Sequence, residues 1–129
     1  MKPRLQANSL RLRLKQGEVK RLVEKGVVEE SIRFFPGREA LAYRLELSES
    51  AAVPVARLKG SEVIVEVPAA AARRWAADAN QVGLEAVQPA GADAEHGLTV
   101  LVEKDFACLD GSDEQNVDTF PNPLAGTKC

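Results

Sequence analysis

The sequence has little of what marks most small catalytic or metal-binding domains. Two cysteines in 129 residues can neither staple a disulfide-rich scaffold nor supply a four-cysteine zinc site. With one histidine and no recognisable dyad, ordinary hydrolase or transferase chemistry would have to run on carboxylates or on Cys108. P-loop, dinucleotide, zinc-protease and serine-nucleophile motifs are all missing. Apolar stretches are only a few residues long, which excludes a transmembrane helix, and MKPRLQANSL lacks the apolar stretch of a signal peptide. Aromatics amount to 5%, and the isoelectric point is near 5.5. Both disfavour a dedicated nucleic-acid binder, which needs a basic surface and stacking rings.

What is present suits one domain over residues 1–129, soluble, cytoplasmic and bacterial in type. Apolar residues make up 45% and charged residues 28%, enough to build a core. The net charge of −2 hides an asymmetry. Residues 1–44 carry eleven Lys/Arg against five Asp/Glu, and residues 45–129 carry six against fourteen. Opposite signs in one small chain are expected to pair within the fold or within a homodimer.

Leu10, Leu12 and Leu14 alternate with Arg11, Arg13 and Lys15, the pattern of a half-buried strand. Val19, Leu22 and Val23 then switch to helical spacing, with Gly26 as the expected left-handed terminator. Val28, Ile32 and Phe34 suggest a second strand, Phe35 to Arg38 a turn, and Leu41 to Leu47 a third strand. Ser48 to Pro54 reads as a connector, Val55–Leu58 as a short apolar piece and Lys59 to Ser61 as a turn. Val63–Val67 is a strand, Pro68 opens an alanine-rich helix to Ala77, and strands follow at Val82–Val87 and from Leu98 to about Phe106. Trp75 is expected in the core, with Arg73 and Arg74 on the solvated face of that helix.

The order strand, helix, strand, turn, strand therefore occurs twice, at about 9–49 and 61–106, followed by an extended tail over 107–129. The expected class is α+β, with duplicated βαββ units forming a six-stranded, mostly antiparallel barrel or sheet and two short helices. Closure into a barrel would remove exposed edges.

The segment VIVEVPAAAARRWAADANQVGLEAV resembles the strand–helix–strand element of AbrB-like and related cradle-loop barrels, which implies the barrel alternative. Over most of its length the chain is similar to a family of small uncharacterised bacterial proteins. That similarity rests on the LRLRL start, the AYRLE strand and the ending VEKDFACLD…FPNP. It implies a single-domain cytoplasmic protein and no particular activity.

The tail offers the main candidates for a ligand or partner: Asp105, Phe106, Cys108, Asp110, Phe120 and Asn122. Asp113, Glu114 and Asp118 add carboxylates, and His96 precedes the last strand. Their spacing fits neither an EF-hand loop nor a zinc site, so a solvated acidic loop is favoured and no metal or cofactor is expected. Cys108 reads first as a small buried hydrophobe, then as a disulfide partner of Cys129, and last as a nucleophile activated by His96. Phe120 with Pro121 and Pro123 reads as a latch folding the tail over the core. Arg11, Arg13, Arg33 and Arg44 could form an anion-binding grid on neighbouring strands, but cross-strand pairing with Glu29, Glu46 or Glu66 explains them without a ligand and is the favoured reading.

The preferred reading is a non-enzymatic binding or interaction module that takes a protein or small ligand near the acidic C-terminal segment. A metal- or cysteine-dependent enzyme using that segment is the first alternative, and anion or nucleic-acid binding through the basic strand face the second. Nucleic acid and membrane are disfavoured as partners.

Overall fold

A computed structural model describes residues 1–37, 40–89, 97–107 and 117–121. Its strands are β1 Lys2–Gln6, β2 Ser9–Leu14, β3 Val27–Arg33, β4 Ala40–Ser48, β5 Val55–Lys59, β6 Glu62–Pro68, β7 Gly83–Gln88 and β8 Leu98–Lys104. Its helices are α1 Gln16–Lys25, between β2 and β3, and α2 Ala69–Ala77, between β6 and β7. The α+β class and the two short helices are as expected. The strands number eight rather than six among the described residues, and they form two four-stranded sheets instead of a closed barrel.

The first sheet has the order β1-β2-β8-β7 and the second β3-β4-β6-β5. Each is made of two antiparallel hairpins joined by a central parallel pair, β2 with β8 and β4 with β6. Each sheet thus takes one hairpin from the first half of the chain and one from the second. The two strands missing from the sequence reading are edges. β1, of sequence KPRLQ, is exposed along its whole length, and β5 buries only Ala56, so neither carries the alternating burial that marks a strand in sequence.

Alternation elsewhere aims apolar side chains at a common core. Leu12, Leu14, Val100 and Val102 from the first sheet meet Val28, Leu45, Val65 and Val67 from the second. Burying each of these side chains stabilises the fold by about 1.5–3 kcal/mol. The helices carry the chain from one sheet to the other and cover one end of this core. Val19 and Leu22 anchor α1, which ends at Gly26 with φ +82°, its N–H donating to Leu22 O at 2.8 Å. This is the left-handed terminator that the sequence implies, and a side chain there would be strained. In α2, Ala69, Ala72 and Trp75 face inward. Trp75 is fully buried and donates its indole N–H to Val82 O at 3.0 Å, while Arg73 and Arg74 stay exposed. Pro68 ends β6 and stands immediately before the helix rather than in its first turn.

A side chain joins the sheets where a barrel would have needed backbone pairing. Gln88, at the end of β7, accepts from Ala56 N at 2.8 Å and donates to Ala56 O at 2.7 Å. Ala56 lies on β5, so one amide satisfies two main-chain groups on the edge of the opposite sheet. Gln88→Ala should therefore cost about 1–3 kcal/mol, since two partly buried backbone groups lose their partner. Urea unfolding followed by Trp75 fluorescence measures this, and an unchanged midpoint would show that the link is dispensable.

Candidate functional site

Asp105, Phe106 and Phe120 converge at the helix-covered end of the core. Cys108, Asp110 and Asn122 lie outside the described residues, as do His96, Asp113, Glu114 and Cys129. Asp105 is buried, with Oδ2 2.8 Å from Lys2 Nζ. Its N–H donates to Leu14 O at 2.8 Å and its carbonyl accepts from Phe120 N at 2.9 Å. Ala107 N donates to Phe120 O at 2.8 Å, so Phe106 and Phe120 form a short parallel bridge with rings edge to face at 6.2 Å. Phe120 also packs against the core.

Beneath that ring lies Lys104, only 2% exposed. Its Nζ donates to Asp78 O at 2.6 Å, at the C-terminus of α2, and sits 5.3 Å from the Phe120 ring centre and 5.9 Å from that of Trp75. Burial lowers its pKa from the ordinary 10.5, with the charge of Asp78 opposing the shift. A cation at a helix C-terminus between aromatic faces is well matched.

Asp118 fastens the tail to α1. Its carboxylate accepts from Gly17 N at 3.0 Å and its carbonyl from Gln16 N at 2.9 Å, while Gln16 Nε2 donates to Thr119 O at 2.7 Å. A side chain on Gly17 would bring its Cβ within 2.9 Å of Asp118 Oδ2 and push on the carboxylate that caps the helix. An anion at a helix N-terminus is favourable. The carboxylates of Asp105 and Asp118 are both engaged internally, and no three metal-ligating side chains gather among the described residues.

The four arginines do not share a surface. Arg11 and Arg13 lie on β2, while Arg33 and Arg44, expected on neighbouring strands, belong to the other sheet. The hairpin exchange separates them. Arg13 Nε is 2.6 Å and Arg11 Nε 3.6 Å from Glu103 Oε1 on β8. Arg44 approaches Glu29 and Glu46 at 3.5 Å each and Glu62 at 3.3 Å. Glu46 and Glu66 stand opposite each other, and Arg57 bridges them at 3.5 and 2.9 Å. Without that cation, two like charges would face across the strands.

A further ionic group lies on the inner side of β3. The Met1 ammonium contacts Glu18 and is 3.2 Å from Glu30. Glu18 accepts from Lys15 N at 2.9 Å, and Tyr43 donates its hydroxyl to Glu30 at 3.0 Å. Burial first, then the hydrogen bond to Glu30 and the charges of Glu30 and Glu18, raise the Tyr43 pKa above 10.0.

Among the described residues, the end of the core opposite the helices is open. Here a cavity of about 420 Å³ lies between the β1–β2 turn and β5, walled by Leu10, Ala56, Val63 and Leu98. Leu5 and Leu58 stand at its rim, each 72% exposed. The amides within reach are committed: Gln88 to Ala56, and Asn8 Nδ2 to Gly97 O at 3.1 Å.

The model of a family described as of unknown function, DUF7009, matches residues 1–124. The chain belongs to that family. Comparison with curated proteins and with solved structures finds no match to either. In this DUF7009 chain the sequence reading overlooked Lys104, Gln88 and the rim leucines. Lys104 had a signal, because it continues the inward alternation of Leu98, Val100 and Val102. Gln88 likewise follows the partly buried Leu84 and Ala86. Nothing in sequence links Leu5 to Leu58.

Two measurements test this description. Asp118→Ala should lower stability by about 1 kcal/mol, and Asp118→Asn by less, because asparagine keeps an acceptor and tolerates the left-handed φ of +59°. Equal losses in chemical unfolding would argue against the cap. Tyr43 is the only tyrosine, so phenolate absorbance reports it directly. Its raised pKa makes a stabilising contribution present below about pH 10 that disappears as pH rises through the folded value. Glu30→Gln should move the folded titration back toward 10, and a wild-type titration at or below 10 would contradict the cluster.

Proposed function

We propose that this chain is a non-enzymatic binding module whose ligand is a small, uncharged, mainly apolar molecule seated at the open end of the core. The observation that carries the reading is the cavity of about 420 Å³ with largely apolar walls, within the range usual for small-molecule sites. Its rim leaves Leu5 and Leu58 exposed to water, a cost that a bound ligand would relieve. An uncharged ligand fits best, because Arg57 is held by Glu46 and Glu66 and the Gln88 amide is used by Ala56. This places the ligand at the opposite end from the C-terminal segment, where the described carboxylates already have partners. The glutamates around Arg11, Arg13 and Arg44 likewise weigh against an anion or nucleic-acid surface.

We also infer that the chain arose by duplication of a ββαββ unit. The orders β1-β2-α1-β3-β4 and β5-β6-α2-β7-β8 support this, as does the equivalent pairing of the two sheets under exchange of the halves.

The ligand reading is tested by titrating the full chain with Nile red, an uncharged dye that brightens in apolar surroundings. Saturable binding is expected, weakened at least about tenfold by Leu5→Asp with Leu58→Asp, since each exposed leucine contributes on the order of 1 kcal/mol when covered. Thermal stability should change little because both side chains are exposed. Dye binding that is absent, or equal in the double variant, would overturn the proposal. Native mass spectrometry then distinguishes a co-purified small molecule from a protein partner.

A further inference from the structure

We propose that β3 pairs with β3 of a second copy of this chain, antiparallel about Ser31, to form a homodimer with a continuous eight-stranded sheet. β3 is an edge of the second sheet. The direction of its backbone groups follows from two hydrogen bonds. Leu47 N donates to Gly26 O at 2.9 Å, one step beyond the pairing of Val27 with Glu46. Gly26 is therefore in the phase that bonds β4, and Val28, Glu30 and Ile32 share that phase. Ala42 N, opposite Ser31, donates to Ser61 O at 3.0 Å, away from β3. Both observations leave the N–H and C=O groups of Val27, Glu29, Ser31 and Arg33 directed outward from the edge.

These outward residues are complementary to themselves in one register. Centred on Ser31, an antiparallel pair of β3 strands sets Glu29 opposite Arg33 twice. Centring on Glu29 or on Arg33 would instead oppose like charges. The end of β3 and the bend just after it are also apolar. Ile32 is 47%, Phe34 63% and Phe35 61% exposed. Edges are commonly guarded by lysine or proline. β1 carries Lys2 and Pro3, and β5 carries Lys59, whereas β3, like the short edge strand β7, has neither residue type.

Sedimentation equilibrium of the full chain is expected to give twice the chain mass of 13.9 kDa. Either E29R or R33E alone places like charges opposite each other at two symmetry-related points, and each should weaken self-association at least about tenfold. The E29R/R33E double variant should restore the homodimer. An equimolar mixture of the two single variants should form a heterodimer, since each then carries the charges the other needs. Near-wild-type Trp75 fluorescence checks that the variants fold. A monomeric wild type, unchanged association in both single variants, or failure of both the double variant and the mixture to recover would each overturn the proposal.

Discussion

The parallel pairing of β2 with β8, and of β4 with β6, is the constraint on which the remaining structure depends. Parallel neighbours cannot be joined by a tight turn, and here the partners come from opposite halves of the chain. Each half must therefore place one hairpin in each sheet, with a helix carrying the chain across. Both helices consequently gather at one end of the core, where β2 and β6 finish. Among the described residues, the opposite end carries turns and the strand termini beside them, and the apolar cavity lies there.

Charge is distributed to suit this exchange. The basic excess of the first 44 residues and the acidic excess of the remainder meet where strands from the two halves adjoin. Arg13 with Glu103 joins β2 to β8, and Arg44 with Glu62 joins β4 to β6. Half-buried, solvent-accessible pairs of this kind contribute only modestly on their own. Their arrangement matters more for register, because a slip by one residue would turn both arginines and glutamates toward the core.

The tail adds a second layer of organisation at the helix-covered end. Asp118 supplies acceptors to the first turn of α1, Phe120 covers Lys104, and Lys104 meets the final carbonyls of α2. One short segment thus serves the positive end of one helix and shields the cation at the negative end of the other. Asp105, Asp118 and Phe120, which looked available for metal or ligand chemistry in isolation, are engaged in holding this corner. The apolar cavity lies at the far end, away from these carboxylates.

Local pattern alone determined that β2, β4, β6 and β8 would be strands, that α1 would end at Gly26, and that Trp75 would be buried. Each rests on spacing between nearby residues: period two, period 3.6, or a glycine following the last helical turn. The edge strands β1 and β5 were illegible as strands because they bury almost nothing, and burial is what imprints alternation. The charge imbalance between the halves was legible, but which arginine meets which glutamate was not. Only the tertiary structure decided that Arg13 faces Glu103 while Arg44 lies in the other sheet, that Gln88 holds Ala56, and that Leu5 and Leu58 share the rim of one cavity. These contacts join residues far apart in the chain, and the partner of a half-buried side chain is selected by sheet order and register, which short-range periodicity does not encode.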